Sequence, residues 1–235
     1  MANIIVRNIP NSITCCNLIS GALATMTAFA GDYTTALTFI IVGTVFDFFD
    51  GFSARLLHVP SPIGKELDSL ADNITFGLAP SAIVFAYMSE ICSPDIHILA
   101  YVAFLIAAFS AIRLAKFNLD ERQTTSFIGL PTPANALFWG AFIISMKDLL
   151  ANVSLNVNII LLLIFLSCWM LIAEVPMFAL KFKNFSFKQN KVRFLFIISS
   201  IILITLFLVA EKSLAGVWLT IVWYIILSLV TNNKK

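Results

Sequence analysis

Apolar residues run along this chain in long consecutive stretches, at roughly 13–30, 34–57, 66–88, 96–115, 134–149, 157–178, 193–210 and 214–231. Short polar or Pro-containing breaks separate them. Several stretches exceed the minimum of about 17 residues that a helix needs to cross a bilayer. Neighbouring positions are apolar together, without the polar–apolar alternation of a lipid-facing barrel strand, so the pattern predicts helices. Inside hydrocarbon a helix also satisfies its own backbone groups. The expected fold is all-α and polytopic, with about eight transmembrane helices.

Composition removes most alternatives. Hydrophobic residues make up 60% of the chain and charged residues 12%, with a mean hydropathy of +0.94, far from a soluble domain with about a quarter charged. A soluble enzyme, a disordered chain and a disulfide-stapled module are all excluded. A net charge of +2 gives no reason to expect nucleic acid as a partner. Cys15, Cys16, Cys92 and Cys168 lie in or beside apolar stretches, and His58 and His97 stand alone, so no zinc-ligand spacing is present. The cations set an orientation. With eight spans and the N-terminus inside, every one of the 15 Lys and Arg residues except Lys147 and Lys212 falls on the inner side. The expectation is an integral protein of the cell (inner) membrane with both termini cytoplasmic. The first span imitates a signal peptide, with Arg7 ahead of it and Ala28-Phe29-Ala30 at its end. Asn17 and Ser20 interrupt its apolar run and further spans follow, so it reads as a retained helix. Residues 181–193 mix five cations with Phe182, Phe185 and Phe187, as a positive inside loop does. A patch lying on anionic headgroups is the sharper alternative.

Carboxylates are costly in a membrane span, yet four stand close together here. Asp47 to Arg55 reads DFFDGFSAR, and Gly64 to Asp72 reads GKELDSLAD. The first stretch ends one predicted helix, and a turn through His58 to Pro62 leads into the next. At about 100° per residue, Asp47, Asp50, Gly51 and Ala54 share one face of the first helix. Gly64, Asp68 and Asp72 recur every fourth residue on the second. The connecting turn makes the helices antiparallel neighbours whose acidic faces meet near the cytoplasmic surface. Four facing carboxylates repel unless protons or cations neutralise them. An all-oxygen set without His or Cys suits Mg²⁺, Mn²⁺ or Ca²⁺. Two such ions suit a phosphate-bearing substrate, and Gly51 and Ala54 leave room for a ligand against the helix backbone.

The pattern D-x2-D-G-x2-A-R-x8-G-x3-D-x3-D resembles the signature of the CDP-alcohol phosphatidyltransferase family, with every fixed position filled. The resemblance implies a six-helix core, assigned here to residues 1–180, with a polar cavity open to the cytoplasm. Residues 181–235 would add a basic loop and two C-terminal helices. It implies a reaction in which an alcohol displaces CMP from a CDP-lipid. It also implies that Asp47, Asp50, Asp68 and Asp72 bind divalent metal, Mg²⁺ or Mn²⁺, as two ions, and that Asp72 is the base that deprotonates the acceptor. Gly51 and Ala54 would lie against cytidine and Arg55 near the phosphates, with Gly64 and Lys65 completing that side. The entrance of the first span, IPNSITCCNLISG, contains Pro10, Asn11, Thr14 and Asn17 and is similar to the family's first-helix motif, which is expected to help hold the nucleotide, Asn11 and Thr14 above all. A homodimer among membrane lipids is the implied assembly.

The acceptor is a separate question. AIRLAKFNLD, from Ala111 to Asp120, followed by FIGLPTPANA, from Phe127 to Ala136, resembles the phosphatidylserine synthase branch. That resemblance implies CDP-diacylglycerol and L-serine as substrates. Arg113 would fork the serine carboxylate, with Lys116 beside it and Asn118 accepting from the ammonium. Ordinary inside-loop charge is the plain alternative for Arg113 and Lys116. Pro131 and Pro133 read as helix starters. Two other readings remain: the same chemistry on glycerol 3-phosphate, and a cation transporter with the four acids as its transport site. A transporter of the repeat type would echo the acids in a second half, whereas here they lie in one hairpin.

Overall fold

The computed structural model describes residues 4–120, 127–151, 155–180 and 190–232. Its helices are α1 (Ile4–Phe29), α2 (Tyr33–Leu56), α3 (Pro62–Asp72), α4 (Ala79–Ile91), α5 (Leu105–Leu119), α6 (Thr132–Ala151), α7 (Asn156–Ile172), α8 (Lys191–Ala210) and α9 (Ala215–Asn232). A π-helical segment, Asn73–Leu78, joins α3 to α4, and a 3-10 segment, Pro94–Phe104, leads into α5. Six spans are long and apolar enough to cross a membrane, two of them the composite stretches Pro62–Ile91 and Pro94–Leu119. Shorter apolar helices cover Asn156–Ile172 and Ala215–Thr231. The chain is therefore an all-α polytopic membrane protein, and the six spans with the two shorter apolar helices follow the eight apolar runs.

Their ends differ from the sequence expectation for local reasons. α1 starts at Ile4 and runs through Pro10, and within it the Ser12 hydroxyl donates to the Asn8 carbonyl at 3.0 Å. α2 begins where the Asp32 carboxylate accepts from the Thr35 amide at 3.0 Å, a side-chain cap. These two Thr35 donors, hydroxyl and amide, also hold Asp32 below the usual carboxylate range. His58, at φ 54°, turns the chain. Ser61 then caps α3 by accepting from Gly64 N at 3.1 Å, with Pro62 in the first turn. α7 stops at Ile172, short of the expected 178. There the chain becomes extended, and Pro176–Met177 pairs antiparallel with Phe127–Ile128. Gly129, at φ +76°, closes this clip, and a Cβ on it would lie 2.5 Å from the Leu171 carbonyl oxygen. Only glycine fits that position.

Lipid gives helices no hydrophobic reason to associate, so close packing of small residues does the work. Ala24, Ala28, Ala36, Ala71, Ala79, Ala82 and Ala136 are all fully buried. Around them pack Trp139, Phe76, Ile40, Ile83, Ile106 and Ile160. Gly21 and Gly43 let α1 and α2 close on Thr75 of the π segment: a Cβ on Gly21 would sit 2.7 Å from Thr75 Cα. Gly216 does the same for α9 against α8, where a Cβ would meet Ile204 Cα at 2.7 Å. Large apolar side chains such as Ile19, Val45, Phe165 and Ile201 point outward. That is the expected surface for lipid.

Candidate active site

The acids converge as the helical spacing predicts. Asp47 and Asp50 come from α2, and Asp68 and Asp72 from α3. Carboxylate oxygens of Asp47, Asp50 and Asp68 lie within 4.8 Å of one another. Oxygens bound at about 2.0–2.6 Å to one hard cation lie up to about 5 Å apart, so the three suit a common ion. Asp47 also interacts with both Asp68 and Asp72. Asp50 and Asp72 are buried, at 5% and 9% exposure. Asp68 Oδ1 is buried and has no hydrogen-bond partner among the described residues. A buried carboxylate oxygen left without a donor is costly, and a divalent cation is what this donor set fits.

α1 supplies the groups that hold the acids. The Thr14 hydroxyl donates to Asp50 Oδ2 at 2.7 Å. Asn17, fully buried, donates from Nδ2 to Asp72 Oδ1 at 3.1 Å. The Thr75 hydroxyl donates to the Asn17 carbonyl at 3.0 Å, tying α1 to the turn just after Asp72. Asn17, which belongs to the same first-helix motif as Asn11 and Thr14, thus meets Asp72 and does not line the nucleotide-side pocket. Its place four residues before Gly21, on the same face as Thr14 and Pro10, was the available signal, but its partner lies 55 positions away.

One pocket of about 300 Å³ opens against the acids, at the lower end of the usual range for ligand sites. Asn11, Thr14, Gly51, Ala54, Arg55, Gly64 and Lys65 all line it, with Asp50 and Asp68 at its wall. These are the seven positions expected on the nucleotide side, and they come from α1, α2 and α3 together. The Arg55 guanidinium folds back over Gly51, where a Cβ would stand 3.3 Å from Nη1.

The expected acceptor residues divide. Arg113 and Lys116 line a separate crevice of about 30 Å³, together with Asp120, Ile128, Leu171 and Glu174. α5 continues to Leu119, so Arg113 sits within the helix and is buried, at 6% exposure. An ordinary loop cation would be exposed. The guanidinium lies 5.6 Å from the Phe117 ring centroid and within electrostatic reach of Asp72, while Nε has no partner among the described residues. Asn118 is not in this crevice. Its Nδ2 donates to Ser69 Oγ at 2.8 Å, and its carbonyl accepts from Lys65 Nζ at 3.0 Å, so it joins α5 to α3. Arg122 and the cation- and Phe-rich stretch 181–189 lie outside the described residues.

The chain is similar to several known proteins. The chain is 40% identical over 125 residues to a Bacillus subtilis CDP-diacylglycerol–serine O-phosphatidyltransferase, which covers 53% of this chain and 69% of that protein. It is 36% identical over 130 residues to the enzyme of the same name from Helicobacter pylori, covering 54% of each. A Methanocaldococcus jannaschii protein, again so named, is 31% identical over 159 residues, covering 68% of this chain and 72% of the other. The chain thus spans between about half and three quarters of the length of these relatives. The family model described as CDP-alcohol phosphatidyltransferase matches residues 7–231, nearly the whole chain, and the protein belongs to that family.

Proposed function

We propose that the protein transfers the phosphatidyl group of CDP-diacylglycerol to the hydroxyl of L-serine, making phosphatidylserine and releasing CMP. The observation that carries the transfer chemistry is the convergence of the acids of α2 and α3 beside a pocket lined by all seven expected nucleotide-side residues. The names of the similar proteins support serine as acceptor.

The bond formed joins the serine oxygen to the phosphorus nearest the lipid. The bond broken joins that phosphorus to the oxygen that leaves with CMP. Asp72 takes the serine hydroxyl proton as attack proceeds, with Asn17 fixing one of its oxygens. Arg55 and Lys65 face the phosphates, while Gly51 and Ala54 leave the cytidine flat against α2. Divalent cations, two Mg²⁺ or Mn²⁺ held by Asp47, Asp50, Asp68 and Asp72, would neutralise charge on the phosphates when bound. Arg113 receives the serine carboxylate. Its burial and its unpartnered Nε support that role.

The cation bias supports an active site on the cytoplasmic side of the cell (inner) membrane, with both termini cytoplasmic. The same reading keeps residues 1–180 as the catalytic core of a homodimer and 181–235 as an addition to it.

The test is CMP release by the purified protein from CDP-diacylglycerol with serine, ethanolamine or glycerol 3-phosphate. Serine should be used and ethanolamine, which lacks the carboxylate, refused. Arg113→Ala should raise the serine KM at least 30-fold, since an unpaired buried charge costs about 2–5 kcal/mol, and should change CDP-lipid affinity much less. Turnover of glycerol 3-phosphate in place of serine would refute the acceptor and leave the four-acid chemistry standing.

A further inference from the structure

A second cavity lies apart from the acids, between α6, α7 and α9. It has a volume of about 470 Å³ and walls that are almost wholly apolar, among them Phe138, Leu166, Trp218, Ile221 and Ile225. Two polar side chains interrupt them, Asn135 and Ser167. Both are buried, Asn135 completely.

These two belong to a hydrogen-bond chain with a fixed direction. Trp139 Nε1 donates to Ser167 Oγ at 3.1 Å, and Ser167 Oγ donates to Asn135 Oδ1 at 2.9 Å. An indole is a donor only, so the serine hydroxyl must accept from it and passes its own proton to the amide oxygen. The amide nitrogen is then left with its two donors. Asn135 Nδ2 has no partner among the described residues. A buried amide donor without an acceptor is expensive in an apolar setting. The ligand that suits this cavity is apolar along its length and carries one neutral hydrogen-bond acceptor near one end.

Position narrows the ligand further. Asn135 is three residues into α6, about 5 Å from its start at a rise of 1.5 Å per residue. Ser167 lies near the end of α7. Leu130 N donates to the Met170 carbonyl at 2.8 Å, and these two residues line the cavity. Their neighbours Ile128 and Leu171 line the Arg113 crevice. The polar end of the cavity therefore lies beside the crevice of Arg113, whose guanidinium is within electrostatic reach of Asp72. A phosphoglyceride with its phosphate at the acids would have its ester carbonyls slightly deeper and its chains deeper still.

We infer that this cavity takes one acyl chain of the CDP-diacylglycerol donor, with the ester carbonyl accepting a hydrogen bond from Asn135 Nδ2 and α9 closing the far wall. The inference rests on CDP-diacylglycerol being the donor. It gives the last helix a part in holding substrate, which the division at residue 180 does not.

The experiment measures equilibrium binding of CDP-diacylglycerol to the purified full chain, without serine, against the analogue whose chains are joined by ether bonds and lack the carbonyls. The parent should bind the diester about fivefold more tightly, the worth of one neutral hydrogen bond. Asn135→Leu should bind the two lipids alike, at the affinity the parent shows for the diether. A second variant, Val222→Trp, fills the cavity from α9 without touching the amide. It should weaken long-chain CDP-lipids and leave a short-chain CDP-lipid bound as in the parent. Equal binding of diester and diether by the parent, or a preference that survives Asn135→Leu, overturns the inference and leaves the proposed reaction intact. Failure of the parent to bind either lipid overturns the proposed donor, and the inference with it.

Discussion

Gly43 is a sharp place to test the packing of the site. A Cβ added there would stand 2.5 Å from Thr75 Cγ2 and 3.0 Å from Asn17 Oδ1. Carbon atoms in contact normally sit about 3.5–4.0 Å apart, so the first of these is short by about 1 Å. Thr75 is fully buried, and its hydroxyl holds the Asn17 carbonyl at 3.0 Å. Rotating the methyl away would break that bond, so Gly43→Ala pushes α2 off the π segment. Asp47 lies one turn further along the same face of α2 and moves with it. The Thr14–Asp50 bond, 2.7 Å long, stretches as well. Overpacking of this kind costs about 1–3 kcal/mol in stability, and a misplacement of about 1 Å in a catalytic group costs about 10²-fold in rate.

Gly43→Ala should therefore cut serine-dependent CMP release by about 10²-fold and lower the thermal midpoint of the detergent-solubilised protein. Thr75→Ser removes the clashing methyl and keeps the hydroxyl bond. The double variant is then left with the 3.0 Å approach to Asn17 Oδ1, which a shift of a few tenths of an ångström relieves. It should recover to within about fivefold of the parent, about 1 kcal/mol. A Gly43→Ala protein with the parental rate and midpoint would refute the packing argument. So would a double variant no better than the single one, provided that Thr75→Ser alone is harmless.

Excess EDTA should abolish CMP release, and Mg²⁺ or Mn²⁺ should restore it; full turnover in metal-free buffer would remove metal from the site. Asp72→Asn should still insert into the membrane and bind CDP-lipid but lose several orders of magnitude in rate, measured by single-turnover CMP release, and a rate within a few-fold of the parent would mean that another carboxylate is the base. For topology, a reporter fused after Lys235 should read cytoplasm, while a thiol introduced by Asp95→Cys should react with an impermeant maleimide from outside. Both positions reporting one side would break the span assignment.

The spans were legible because a bilayer demands long uninterrupted apolar runs, and little in this chain interrupts them. The acids were legible because two helices joined by a short turn must be neighbours, so helical spacing alone brings Asp47 and Asp50 toward Asp68 and Asp72. The features that spacing alone does not show share a cause: each needs tertiary packing. Asn17 reaches Asp72 only because Gly21 and Gly43 let three helices close on Thr75. Arg113 reads as either a loop cation or a ligand until α5 is seen to run on to Leu119 and bury it. Asn118 stands five residues after Arg113, where the sequence suggested a companion, yet helical direction sends its amide to Ser69. The π segment and the two-residue clip of Phe127–Ile128 with Pro176–Met177 carry no periodic signal at all.

On the proposed reading, the spacing of the acids along α3 has a mechanistic consequence. Displacement at phosphorus needs the attacking and leaving oxygens on opposite sides. Asp68 lines the nucleotide-side pocket, and Asp72 does not. One helical turn deeper, about 6 Å along the axis, Asp72 lies within electrostatic reach of Arg113 on α5. The same helix thus presents one carboxylate to the leaving side and another to the acceptor side. Asn17 binds one oxygen of Asp72 at 3.1 Å and so orients the other, with Asp47 near the same carboxyl, toward the incoming hydroxyl. A carboxylate free to rotate would offer that oxygen only part of the time. Fixing it from α1 makes the helix that helps to hold the nucleotide also orient the base, so the two halves of the displacement are set by one packing contact.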